Sequence, residues 1–299
     1  MTGNEKGKLS YALTDFSFWE EAWQRSADTV LRSRRPEGLK GQVEFWNRRA
    51  EEFAGKVMPD STRVEEIISW LAAQGVRFPG SKVLDVGSGP GAFALPLAAR
   101  GAEVVAVEPA GAMISALKEN LSREKISDKV HVVKELWEKV DVEGLGWAGE
   151  FDLVFASMSP GINSWETIAK ALKCSRKHCY FSSFAGERFS PHYGRLWEIL
   201  YGQKMSPWPA DIFYINQLLL LQGYEVTFHV WNRRRTETLK APEMVETFLK
   251  FFRQYGEEVP HMAETIRTYV EGRLQKDAFS HEINTRLGKV LVKLNGAGP

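Results

Sequence analysis

The chain has 299 residues, enough for one large domain or two small ones with a buried core. Hydrophobic residues at 43% and charged residues at 26% fit a globular protein, and no apolar run approaches the roughly 20 residues of a membrane helix. With 39 basic and 38 acidic side chains the formal charge is +1, so no global field draws in nucleic acid or an anionic membrane, although a local patch is compatible with this balance.

The chain opens on MTGNEKGKLS, which lacks the apolar core of a signal peptide, and a cytoplasmic location is expected. Phe16, Trp19, Trp23, Ala27, Val30 and Leu31 recur at helical spacing and predict one amphipathic helix. Val43, Trp46, Ala50, Phe53 and Val57 predict a second. Thr62 and Glu65 have capping-box spacing and open a third, lined by Val64, Ile67, Ile68 and Leu71. From residue 81 short apolar runs alternate with helical stretches. Strands are predicted at 82–86, 103–108, 130–133, 151–157 and 178–184, with helices near 92–100, 110–122, 134–140 and 163–172. Such alternation needs crossover connections, hence a parallel sheet covered on both faces. Cys174 and Cys179 have neither zinc-knuckle nor redox-pair spacing, and two reduced thiols are expected, Cys179 in the core. Two late strands are predicted at 224–231 and 288–295. The predicted organisation is a helical lid over 1–58 and a core domain over 59–299, with cap segments near 186–222 and 236–285.

The sharpest signal is VLDVGSGPGAFALPLA, residues 83–98. A strand ends in Asp85, and Gly87, Gly89 and Gly91 follow at alternate positions before a helix. Glycines allow positive φ and close approach of a ligand to the backbone, and the helix behind them aims its N–H groups at that ligand. Gly87, Gly89 and Ala92 also satisfy the dinucleotide spacing G-x-G-x-x-[GA]. Glu108 ends the second strand, where a carboxylate can accept both hydroxyls of a ribose. Asp85 separates the two cofactor classes. An acid two residues before the first glycine repels a pyrophosphate but suits a cationic amino-acid moiety.

Together with AEVVAVEPAGAMISAL, this stretch resembles the first two motifs of class I S-adenosylmethionine-dependent methyltransferases, over roughly residues 60–185. The resemblance implies a Rossmann-like seven-stranded, mostly parallel sheet with an antiparallel C-terminal hairpin and helices on both faces. It implies S-adenosyl-L-methionine as cofactor and no metal. Asp85, Gly87, Ser88, Gly89 and Gly91 then face the methionine part, Glu108 the ribose, and Pro109 and Met113 the adenine. Where the family often has an acid beside the adenine, Leu136 stands here with Trp137 next to it, and Glu135 is one residue away. FWNRRAEEF resembles a helix that folds over the cofactor, with Phe45, Trp46 and Arg49 as its contacts. Arg49 reaches either the methionine carboxylate or a nearby acid such as Glu52.

No catalytic residue is legible, because in-line methyl transfer needs alignment and exclusion of water more than a base. Ser157 and Ser159 follow the fourth strand as cofactor contacts or as turn residues, and no Asn/Asp-Pro-Pro-aromatic motif follows it. His192, Tyr193, Asp211 and Tyr214 lie in segments able to wall an acceptor pocket, or serve structure alone. NRRRTE, 232–237, reads as a solvated turn or an anion contact. The expected acceptor is a small molecule, with the charge balance arguing against nucleic acid. The competing readings are an RNA or protein methyltransferase, a non-catalytic protein that binds the cofactor, and an NAD(P)-dependent oxidoreductase.

Overall fold

The computed structural model describes residues 13–26, 38–54, 61–208 and 210–294. Ala27, Val30, Leu31 and Val57 lie outside the described residues, as does the side chain of Phe53. Three helices come first, α1 (Phe16–Ser26), α2 (Gly38–Ala54) and α3 (Ser61–Ala73). The alternating region then runs β1 (Lys82–Val86), α4 (Ala94–Ala99), β2 (Glu103–Val107), α5 (Gly111–Glu124), β3 (Val130–Val133), β4 (Phe151–Ser157), α6 (Trp165–Cys174) and β5 (Ser175–Phe189). It is followed by α7 (Pro191–Tyr201), α8 (Asp211–Leu221), β6 (Glu225–Lys240), α9 (Ala241–Tyr255), α10 (Met262–Glu271) and β7 (Ala278–Lys293).

The seven strands form one sheet in the order β3-β2-β1-β4-β5-β7-β6. β1 to β5 pair in parallel, and β7 is antiparallel to both its neighbours, so β6 points the same way as β1. The strand order reverses between β1 and β4. In open α/β sheets, ligands bind beyond the carboxyl ends of the strands at such a reversal.

Period-two alternation divides the strands between two core layers. Leu84 and Val86 face one cluster with Val154, Ala156, Cys179 and Phe181, beneath α6 and α8. Val83, Leu153, Phe155 and Tyr180 face the other, beneath α3, α4 and α5. Both cysteines are buried and free, and burial pushes the Cys174 thiol up to about 12. The N-terminal helices go to different places. α1 packs on α8, where Trp23 is buried, stacks on Tyr214 and donates from Nε1 to Asp211 Oδ1 at 2.9 Å. α2 packs on α5, with Ala50 against Ala110 and Met113.

Three strands are longer than their sequence signals. β6 and β7 stay paired from Glu225↔Lys293 to Lys240↔Ala278, a ribbon that runs past the body of the sheet. It carries a satellite core in which Tyr193, Leu196, Phe248, Phe252, Ile266 and Phe279 bury one another. NRRRTE is thus part of β6 and not a turn. A two-stranded ribbon shows much of its surface to solvent, so its sequence lacks the apolar run that marks a core strand. The helix expected near 134–140 is a single 3-10 turn, Trp137–Lys139. Among the described residues no helix is long and apolar enough to cross a membrane.

Candidate cofactor and acceptor site

Asp85 lies at the carboxyl end of β1 on the face that packs against α4, and it is 3% exposed. It accepts a hydrogen bond from the Ala94 N–H, while Oδ2 is buried with no partner. Burial first, and the Glu108 carboxylate second, push Asp85 up to about 7. Ser88 Oγ is likewise buried and unpartnered. Buried polar atoms are normally satisfied, so two orphans on the lining of one cavity leave room there for a polar partner.

Between them and α4 the backbone runs through left-handed conformations at Gly87, Gly89 and Gly91, with φ of 74°, 55° and 94°. Gly89 and Gly91 serve different ends. A Cβ on Gly89 would meet nothing within 4 Å, because that side of the loop opens on a cavity. A Cβ on Gly91 would collide with Leu95 and Leu117, so this residue is small to let α5 pack on the loop. Glu108 ties the loop to β2. Its Oε2 accepts from Gly89 N and its Oε1 from Ala110 N, both at 2.9 Å. Burial raises its pKa, and these two backbone donors oppose the rise. Each oxygen has a second lone pair, so the carboxylate can hold the loop and still accept from a diol.

The cavity, of about 590 Å³, lies at the carboxyl edge of the sheet. Asp85, Gly87, Ser88, Gly89, Glu108, Pro109, Met113, Leu136, Trp137, Ser157 and Trp46 all line it, from six separate stretches of chain. Three expected residues do not, among them Phe45, whose ring lies edge-on to that of Trp46 with centroids 5.3 Å apart. Gly91 packs against α5, and Arg49 lies with its guanidinium over the Phe45 ring, 5.3 Å from the centroid. Leu136 lines the cavity and Glu135 does not; the Glu135 carboxylate accepts from Leu136 N at 2.9 Å. Trp137 is buried, and its indole N–H donates to Thr167 O at 3.1 Å. Ser157 Oγ is 3.0 Å from Ser182 Oγ, and Met158 takes the left-handed conformation just after it, at φ 56°.

Other expected contacts lie outside the cavity lining. His192 Nδ1 is 2.8 Å from Tyr269 Oη, Tyr193 is core of the satellite cluster, and Asp211 and Tyr214 hold Trp23. The lining also includes Gln42, Val43, Arg63 and Glu138, which the sequence did not single out for the site, and Arg233 and Arg235 of NRRRTE, the stretch read as a solvated turn or an anion contact. Gln42 and Val43 come from α2, which thereby covers the cavity. Asn47 anchors that helix, its Oδ1 accepting from Ala112 N at 3.0 Å. Gln42 and Val43 sit one turn before Trp46, a helical repeat that could have found them. Among the described residues no group of three His, Cys, Asp or Glu side chains is placed to hold a metal.

Comparison with known proteins matches residues 83–179 to a family described as methyltransferase domain. Residues 83–179 thus carry a methyltransferase domain. The solved structure of the YcgJ protein from Bacillus subtilis shares its fold, with a TM-score of 0.50 at 10% identity over 78% of this chain and 98% of that one. In sequence, the domain resembles the 23S rRNA (uracil(1939)-C(5))-methyltransferase RlmD of Shewanella sp. strain ANA-3, 36% identical over 93 residues, 31% of this chain and 19% of the relative. The protein of that name from Aeromonas hydrophila is 36% identical over 122 residues, 40% of this chain and 26% of the relative. The chain thus spans about a quarter or less of the length of these curated relatives.

S-adenosylmethionine is the cofactor of this methyltransferase domain, and the residues present fit it. The buried orphan carboxylate of Asp85 matches a cationic ligand, and the glycine loop leaves backbone open beside it. The relatives correct one expectation. A small-molecule acceptor, with nucleic acid argued against, does not stand beside relatives named for methylating rRNA. A net charge of +1 is a sum over the whole surface, and two arginines of the ribbon reach the cavity without changing that sum.

Proposed function

We propose that this chain catalyses methyl transfer from S-adenosylmethionine to an acceptor that enters between α2, α3 and the β6–β7 ribbon. The observation that carries the reading is the unpartnered, buried Asp85 carboxylate opening on the same cavity as Glu108 and Gly89. Bound there, the cofactor supplies a methyl carbon made electrophilic by its sulfonium. The protein's part is to hold and to exclude. Asp85 offers its free oxygen to the cationic methionine end, and Glu108 offers its remaining lone pairs to the ribose hydroxyls. Met113, Leu136 and Trp137 give the adenine an apolar bed, and Trp46 of α2 covers the site. The lining residues would hold the acceptor's reacting atom in line with that carbon and keep water from it. Both thiols are buried outside the cavity lining, so a cysteine nucleophile has no part in this scheme.

The test is calorimetry with S-adenosylmethionine, S-adenosylhomocysteine and NAD. The first two should bind and the dinucleotide should not; tight NAD binding would sink the proposal. The partial match to rRNA methyltransferases makes RNA the first acceptor to try, by transfer of labelled methyl to total RNA. A protein fraction serves as the competing acceptor.

A further inference from the structure

The acceptor side of the cavity has a chemistry of its own. β6 runs parallel to β1, so residues after Trp231 pass beyond the carboxyl edge of the sheet. Trp231, Arg233 and Arg235 alternate and share one face of the ribbon. Lys289 on β7 fixes which face this is. Its ammonium lies 5.2 Å from the Trp231 ring and 4.2 Å from the Trp70 ring, so the face looks toward α3. α3 leads into the amino end of β1, and its own first turn therefore lies at the carboxyl edge. Arg63 is in that turn, two turns before Trp70 on the same side of the helix. Two unrelated elements thus bring three guanidinium groups, those of Arg63, Arg233 and Arg235, to the lining of one cavity.

Among the described residues, neither Arg63 nor Arg235 is ion-paired with an acid of its own element. Glu65 of α3 is turned away to Arg100, and Glu237 of β6 is bound to His281 Nε2 at 3.1 Å. The acids that do line the cavity, Asp85, Glu108 and Glu138, come from the β1–β3 half. Glu138 accepts from Asn163 Nδ2 at 2.8 Å. Arg63 is the most telling of the three, because its Nε is buried without a hydrogen-bond partner. Burial also holds its guanidinium below its ordinary value. A desolvated guanidinium lacking a partner on its own chain is matched by an oxyanion, whose paired oxygens fit the planar fork.

We infer that Arg63, Arg233 and Arg235 form an anion-recognition site on the acceptor side of the cavity, and that the methyl acceptor carries a phosphate or carboxylate group. This rests on the methyltransferase reading, which places the acceptor beside the cofactor. The site orients the acceptor by its charged group while the reacting atom is turned toward the methyl carbon.

The experiment uses the full chain loaded with S-adenosylhomocysteine, titrated separately with inorganic phosphate, acetate and single-stranded oligouridylate. At least one should bind. The double substitution Arg233→Gln/Arg235→Gln should weaken that binding by roughly ten-fold or more, the scale of one lost charge-assisted hydrogen bond. Its affinity for S-adenosylhomocysteine should be unchanged. Arg234→Gln is the control, because Arg234 lies on the opposite face, 4.0 Å from Glu282, and should leave anion binding intact. Oligouridylate binding that is far tighter than phosphate and falls steeply with salt identifies the anion as a nucleic-acid backbone. Binding of phosphate or acetate at similar strength identifies a free oxyanion group. The inference is overturned if the loaded wild type binds none of the three, or if the double variant binds them as the wild type does. Failure to bind S-adenosylhomocysteine would instead bring down the methyltransferase reading, and this inference with it.

Discussion

Asp85→Asn should stabilise the cofactor-free protein at alkaline pH while impairing its cofactor site. Asp85 is raised from an ordinary 3.8 to about 7, by burial and then by the neighbouring Glu108 carboxylate. An acid raised in the folded state keeps a proton that the unfolded chain has released. Its contribution is present in full below pH 3.8 and is lost as pH rises through 7. A shift of about three units corresponds to roughly 4 kcal/mol, of which about 3 kcal/mol is lost between pH 5 and pH 8. The substituted amide keeps an acceptor for the Ala94 N–H and does not ionise. Urea unfolding at pH 5 and pH 8 should therefore show the stability difference, variant minus wild type, rising by about 3 kcal/mol across that range. Calorimetry supplies the second arm. A cationic ligand favours the carboxylate, so wild-type affinity for S-adenosylmethionine should grow as pH rises through 7, and the variant should lose that dependence. A stability difference that does not change with pH would refute the reasoning, since Asp85 would then titrate as an ordinary acid.

Gly89→Val should leave circular dichroism native and abolish S-adenosylhomocysteine binding, because the new side chain enters the open cavity and a β-branched residue is strained at φ 55°; persistence of binding would make the loop a simple turn. Gly91→Ala should instead lower the thermal midpoint, since any side chain is strained at φ 94° and its Cβ would crowd the tips of both Leu95 and Leu117. Glu108→Ala should weaken S-adenosylhomocysteine binding by roughly ten- to more than a hundred-fold, from charge-assisted hydrogen bonds worth ~1.5–3 kcal/mol. An unchanged affinity would remove Glu108 from the ribose. On adding S-adenosylhomocysteine, hydrogen exchange should slow in α2, which covers the cavity, and stay unchanged in α1, which packs on α8. Equal protection of both helices would mean that they act as one lid.

The sequence by itself determined the parallel sheet and the glycine loop at its carboxyl edge. Both are written locally. Short apolar runs such as Val83–Val86 are strands buried on both faces, and three glycines between a strand and a helix have few uses other than close approach to a ligand. The roles within that loop were not local. Gly89 and Gly91 look alike in the sequence, yet one borders a cavity and the other a helix, because α5 returns from further along the chain to pack on only one of them. The two N-terminal helices carry similar aromatic stripes, and only their docking partners, α8 and α5, decide that α2 alone covers the site. The acceptor side was the least legible. Arg233 and Arg235 sit in a stretch that reads as a solvated turn or an anion contact, and Arg63 in an unremarked helical first turn. What joins them is the parallel direction of β6 and the opposite run of α3 across the same sheet face, a relation between segments about 170 residues apart that no local pattern records.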